Sequence, residues 1–235
     1  MTTTDGGYEE SIRSAMDALS RDFSSDASVD DALDRITATA VDLVDGVDYA
    51  DVMLIENGGF RSIAPTDPVV SMLDEAQMRL NEGPCLDAAT NDSIIRTGDL
   101  RTGAIWPRFA QVAVDAGVLG VLSIQLFTFK GGVGALNLLS RRPDAVGPEG
   151  EALAAILATH AAVVLMAASR RQQYASALAS RDLIGQAKGI LMGQFSIDAV
   201  RAFDLIVKQS QNTNTPVRTV AAQIIDSYVP RRAQD

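Results

Sequence analysis

Apolar residues in this chain recur at two different periods, and the changes of period mark its elements. Ile12, Ala15, Met16 and Leu19 are spaced three and four apart, which predicts a first amphipathic helix after a disordered stretch at residues 1–7. A second helix is expected to begin at Ser28, a residue type that caps helix N-termini, with Leu33, Ile36, Ala40, Leu43 and Val44 on its inner face. The rhythm then shortens. Tyr49–Glu56, the turn Asn57-Gly58-Gly59 and Phe60–Ala64 read as a β-hairpin. A helix over Pro68–Leu80 follows, then the punctuation Gly83-Pro84-Cys85, a short strand near Ser93–Thr97, and a helix from Trp106 to about Ala116. Val118–Phe129, the turn Lys130-Gly131-Gly132 and Val133–Ser140 make a second hairpin. The expected sheet has about five antiparallel strands with helices on its faces, an α+β arrangement.

From Gly147-Pro148 no breaker stronger than glycine appears before Ser196, so the pattern predicts one connector helix of roughly 45 residues. Ala167, Arg171, Tyr174 and Leu178 keep a 4–3–4 spacing within it, a short seam suited to a homodimer. On its last part, Leu183, Ile184, Ala187, Ile190 and Leu191 share one arc. Arg181, Gly185, Lys188 and Met192 descend another. Arg181 and Lys188 stand about 10 Å apart along the axis. Gly185 and Gly189 each cost about 1 kcal/mol of helix stability relative to alanine, which suggests close approach of another helix or a ligand to the backbone. Val200, Phe203, Ile206, Val207 and Ser210 line a further helix. Thr215 is the expected N-cap of the last, with Pro216 at its first position and Val217, Val220, Ala221, Ile224, Ile225 and Tyr228 facing inward. These C-terminal helices form a three-helix bundle.

Composition sharpens this division. The 235 residues carry a net charge of −10, but residues 169–235 hold nine Lys/Arg against five Asp, a surplus of four, which leaves −14 for residues 1–168. Such asymmetry points the C-terminal part toward a polyanion. Between Tyr174 and Val229 the balance falls to five against four, so charge alone does not define a nucleic-acid binder. No apolar run reaches the ~18 residues of a membrane span, and the polar, acidic start lacks the layout of a signal peptide. A cytoplasmic protein is expected. The single Cys85 excludes an internal disulfide.

Two resemblances follow from the motifs. Residues from about 174 to 229 resemble the ANTAR domain through Ser180–Met192 (SRDLIGQAKGILM), the Ala202-Phe203 pair, Ser210–Asn214 and the Val217-Arg218…Val220-Ala221 ending. Residues of about 28–170 resemble a GAF domain through Glu82–Ala88 (EGPCLDA), Trp106–Ala110 (WPRFA), Val133–Pro143 and Thr159–Leu165. The resemblance implies three parts: an N-terminal segment 1–27, a GAF-like sensor 28–168, and an RNA-binding unit 169–235 with its connector. It also implies a small-molecule signal at the sensor and binding of paired transcript-leader hairpins by a dimer, promoting antitermination. Arg181, Lys188 and Arg218 are the expected phosphate contacts, and Gln186, Gln211 and Asn214 the expected readers of unpaired bases. The chain departs from the family at Pro216, where many members have Lys, at Arg201, where an acid is usual, and at Thr219, a frequent Asp.

The alternatives are weaker. A helix-turn-helix DNA-binding output needs a cation-rich recognition helix, and the candidate, Pro216–Val229, has Arg218 alone. A GAF-fold reductase needs more than one thiol. Cys85 is therefore a candidate for the ligand pocket rather than a nucleophile, and no enzymatic activity is expected. His160, in register with Leu153, Ile156, Leu157, Val163 and Val164, reads as a core or dimer-seam residue rather than a haem ligand, and Trp106 as a core anchor. No metal site and no cofactor are predicted, and the ligand of the sensor is not legible.

Overall fold

The computed structural model describes residues 10, 13–14, 28–56, 59–90, 94–102, 105–126 and 132–228. The expected disorder at 1–7, the helix around Ile12–Leu19, the turn residues Asn57 and Gly58, Ser93, the segment 127–131, Val229 and the Arg231–Arg232 pair lie outside them. Internal contacts divide the chain into two units, Met1–Ala168 and Ser169–Asp235.

In the first unit, α1 (Val29–Leu43) starts at Ser28, whose hydroxyl accepts from the Asp31 N–H while Asp31 accepts from the Ser28 N–H. This reciprocal capping box fixes the helix start. Strands β1 (Tyr49–Glu56) and β2 (Gly59–Ile63) form the first hairpin. Helices α2 (Pro68–Leu80) and α3 (Pro84–Thr90) follow, then β3 (Ile94–Thr97), α4 (Pro107–Asp115), β4 (Gly120–Leu126) and β5 (Gly132–Ser140). The sheet is antiparallel throughout, in the order β2-β1-β5-β4-β3. At Gly134 a Cβ would meet the Leu54 side chain and the Met53 carbonyl at 2.6 and 2.7 Å, so only glycine lets β5 lie this close to β1.

Both faces of this sheet are covered. On one, Ala50, Val52, Leu54, Leu122, Ile124, Leu136 and Leu138 pack with α1 and the first third of α5 (Pro148–Phe195). On the other, Met53, Val121, Ala135 and Leu139 pack with α2, α3 and α4 through Val70, Leu73, Cys85, Ala88, Trp106 and Phe109. Helix α3 was not expected: Gly83-Pro84 reads as a turn, but proline suits the first helical position and the helix begins there.

Helix α5 runs 48 residues. It holds an 18-residue window of mean hydropathy 2.0, long and apolar enough to cross a membrane by length and composition, which corrects the expectation that no such run exists. Leu153, Ala154, Leu157, Ala158 and Ala161 in that stretch are buried against the sheet, as in the core helix of a folded domain. His160 is buried in the same stretch, whereas Ile156 and Val163 are exposed. Ala167, Arg171, Tyr174 and Leu178 are all exposed, Tyr174 by 77%.

The second unit packs the distal part of α5 with α6 (Ala199–Thr213) and α7 (Val217–Tyr228). Its buried core is Ala187, Leu191, Ala202, Ile206, Val220 and Ala221. Three of these six are alanines, so the helix axes can approach closely. That small core changes the expected inner faces. On α6, Ala202 and Ile206 are buried while Val200 and Phe203 are exposed, and on α7 Tyr228 is exposed. Asp198 caps α6, accepting from the Val200 and Arg201 N–H groups at 3.0 and 2.8 Å. Thr215 is not the cap of α7. Its hydroxyl donates to the Thr213 carbonyl, and the Pro216 carbonyl receives the Val220 N–H, which places Pro216 at the cap position.

Candidate nucleic-acid interface and sensor interior

On the bundle, Arg181 is exposed and Lys188 half-buried, both on the same side of α5 as predicted. The Lys188 ammonium lies over the Phe203 ring, 6.0 Å from its centroid, and Phe203 keeps 40% of its surface exposed. This cation–π contact joins α5 to α6 and presents a charged group beside an aromatic face. A Cβ at Gly185, Gly189 or Gly193 would meet nothing within 4 Å. The glycines are therefore not required by packing inside this unit, and leave the backbone approachable from outside.

The other expected contacts distribute differently. Gln186 is exposed, but two residues from Lys188 it sits about 160° round the helix from it, across the buried Ala187. The two cannot serve one face. Gln211 is exposed near the end of α6, and Asn214 is its left-handed C-cap (φ 49°), donating its N–H toward the Gln211 and Ser210 carbonyls. Arg218 is exposed in the first turn of α7. Exposed Arg201 and Lys208, seven residues apart on α6, repeat the spacing of Arg181 and Lys188; Lys208 was not singled out from sequence because charge balance there is near neutral.

In the first unit, the motifs that carry the GAF resemblance are largely structural clasps. Glu82 accepts from the Arg108 and Phe109 N–H groups at 2.7 and 3.0 Å, capping α4 from a distant segment. Although desolvation opposes it, these bonds and the Arg108 guanidinium hold the Glu82 carboxyl below its usual range. The Trp106 indole N–H donates to Asp87 at 2.8 Å, tying the start of α4 to α3.

Beneath α3 lies a polar cluster that sequence reasoning missed. Cross-strand register puts Asp51 opposite Asn137 and Asn137 opposite Ser123, one polar row across three strands. Asp51 accepts from Asn137 Nδ2 and from the Ser62 hydroxyl, each at 2.9 Å. Asp74 of α2 is the carboxyl neighbour of Asp51, close enough for each to affect the other's ionisation. Gln77 donates to Asp74 at 3.4 Å and accepts the Cys85 N–H at 2.9 Å. Gly83 (φ 151°) permits this, because any Cβ there would strike the Gln77 side chain. Asp51, Asp74, Gln77, Ser123 and Asn137 are all at most 1% exposed. Burial raises the Asp74 carboxyl well above its usual range, the neighbouring Asp51 charge adding to this, and burial also raises Asp51. The signal was available: an aspartate flanked on both sides by apolar residues, in a strand covered on both faces, has to be buried.

Cys85 lies in this interior, accepting from the Ser123 hydroxyl at 3.4 Å, with its thiol pushed well up by burial and then by the two aspartates. It is held as a neutral thiol, opposite to what a nucleophile needs. A separate cavity of about 220 Å³, lined by Thr97, Gly98, Ser140, Asp144 and Pro148 among others, does not include Cys85. Among the described residues no three His, Cys, Asp or Glu side chains gather as metal ligands.

A sheet covered on both faces, with a polar interior on one of them, and a separate small helical bundle define a sensor module joined to a helical output module. The chain belongs to the GAF domain family, whose model matches residues 26–166, and the ANTAR domain model matches residues 172–225. Together these make it a signal-responsive transcription regulator. A comparison with curated proteins found no match. Among solved structures, the GAF domain of a phosphoenolpyruvate-protein phosphotransferase from Coxiella burnetii is similar at 15% identity and TM-score 0.53, over 73% of this chain and 99% of that one. An N-acylhomoserine-lactone-dependent LuxR-family transcription factor from Burkholderia cenocepacia is similar at 16% identity and TM-score 0.52, over 68% and 94%. Free methionine-R-sulfoxide reductase from Neisseria meningitidis, solved with its substrate, is similar at 14% identity and TM-score 0.53, over 73% and 96%. At these identities the likeness concerns the fold.

Proposed function

We propose that the C-terminal unit binds paired hairpins in a transcript leader as a homodimer, disfavouring a competing terminator and so promoting antitermination. The observation that carries this is the Lys188 ammonium over the partly exposed Phe203 ring, within the ANTAR-matched segment. Single-stranded loop bases stack on aromatic side chains, and an adjacent cation neutralises the phosphate that follows. Arg181, one face with Lys188, extends the phosphate track, and the glycines beside it let the backbone of the ligand come close. Arg218, Gln211 and Asn214 supply further contacts around the α6–α7 turn. Gln186, on the other flank of α5, contacts RNA only if the ligand wraps that helix.

The GAF unit is the input and takes a small-molecule signal. The exposed seam Ala167–Arg171–Tyr174–Leu178 pairs two chains, and the signal shifts the population of their arrangements, for which a few kcal/mol suffice. The protein works in the cytoplasm, where transcripts are made, and without catalysing a reaction.

Lys188→Glu tests this reading. Its gel-shift affinity for a tandem-hairpin leader is expected to fall at least about 100-fold, as charge reversal at a phosphate contact also adds repulsion, while circular dichroism stays unchanged. Duplex DNA of the same length should not compete. Unchanged affinity in this variant, or better competition by duplex DNA, would overturn the assignment.

A further inference from the structure

The polar cluster beneath α3 has more acceptors than donors. Asp74 Oδ2 and Asn137 Oδ1 are buried and receive no hydrogen bond. Asn137 bonds Asp51 through its amide and Asp74 is the carboxyl neighbour of Asp51, so they are parts of one locus. Among the described residues, the groups that act on the two carboxyls are Asn137, Ser62, Gln77 and each other, with no cation among them. A buried acid pair without a cationic partner is an unfavourable arrangement to keep for packing alone, since apolar side chains of similar volume would fill the space at lower cost. The titratable groups facing this locus are Asp51 from β1, Asp74 from α2 and Cys85 from α3. Strands β2, β4 and β5 bring Ser62, Ser123 and Asn137.

We propose that Asp51, Asp74 and the Asn137 carbonyl form a binding site for a compact N–H-donating cation: free ammonium or the head of a primary amine. The donor set selects the chemistry. Anions are repelled by two carboxyls. A hard divalent cation takes six or more oxygens, whereas the locus offers two unpartnered ones. An ammonium group carries three or four N–H donors: Asp74 Oδ2 and Asn137 Oδ1 would take two, and the Asp51 carboxylate, whose oxygens can each accept more than one bond, a third. On binding, the cation replaces the proton that burial favours on Asp74, so one proton leaves and the local charge is unchanged. Gln77 carries the consequence outward: it donates to Asp74 and accepts the Cys85 N–H, linking the occupied pair to the first turn of α3.

The proposal is tested on the full-length protein by thermal unfolding in ammonium chloride, methylammonium chloride and tetramethylammonium chloride at matched ionic strength. Ammonium or methylammonium, which have N–H donors, should raise the midpoint by about 3 °C, and tetramethylammonium, which has none, should not. A response to ammonium alone assigns the site to the free ion, and a response to methylammonium assigns it to amine heads. Asp74→Asn should abolish the shift. Asn137→Ser, which keeps both carboxyls, should weaken the apparent affinity at least fivefold and carries the test if Asp74→Asn does not fold. Equal midpoints in the three salts mean that the pair holds a proton or water only, and overturn the proposal, as does a shift that survives both substitutions. RNA binding is read separately by gel shift, so neither result depends on the other.

Discussion

The two faces of the sheet are built from the same strands but on different terms. On β1, Ala50, Val52 and Leu54 point to the α1–α5 side and join its hydrophobic cluster, whereas Asp51 points the other way and accepts from Asn137 beside Asp74. The first face is a structural floor whose strength is its packing. The second gives up part of that strength to keep polar groups dry beneath α3. A sensor needs both, because a site can respond to occupancy only if the opposite side does not yield.

That contrast can be broken from either side. The largest effect is expected on the floor. Leu136→Ala removes a fully buried side chain and should destabilise by about 3 kcal/mol, read by urea unfolding; a loss under 1 kcal/mol would mean that this face is loosely packed. On the polar face the sign reverses. A carboxyl whose folded pKa is raised contributes fully below the free aspartate value near 3.9 and loses that contribution as pH climbs through its folded pKa. Asp74→Asn in ammonium-free buffer should therefore be more stable than the parent at pH 8, by about 1–2 kcal/mol, and lose that advantage toward pH 4. A pH-independent difference would contradict the buried acid pair. Trp106→Phe trims a buried side chain by one ring and deletes the indole bond to Asp87, and should cost about 1–2 kcal/mol by urea unfolding. The smallest effect concerns the bundle. Gly185→Ala meets no atom and should stabilise it by about 0.5–1 kcal/mol. If its RNA affinity nevertheless drops, the bare backbone serves the ligand rather than the fold.

Much of the architecture was legible because its periods are clean. The hairpins, α1, α2, α4 and the unbroken α5 follow from spacing and punctuation. Helix α3 was hidden because its seven residues, which begin with Pro84 itself, carry no measurable period. The polar row went unread because Asp51 and Asn137 are single polar residues in otherwise apolar strand interiors, and only the cross-strand register shows that they meet. In the bundle, the periodic argument favoured large residues. The interior instead chose Ala202 over its neighbour Phe203, because close helix approach excludes a ring and leaves it outside, beneath Lys188. Of the proposed contacts, Arg181 and Lys188 were readable from helical spacing, while the part played by Phe203 required the packing.

The clasps made by Glu82 and Asp87 have a consequence for how this domain can diversify. They belong to the motif by which the chain is recognisable, yet they fasten the start of α4 to the α2–α3 segment and to α3. A signature made of fasteners names the scaffold and is silent about its cargo. Lineages can therefore exchange the lining, Asp51, Asp74, Asn137 and the small residues of α3, while the fasteners hold the frame. A recognisable sensor can thus acquire a new signal without becoming a different fold.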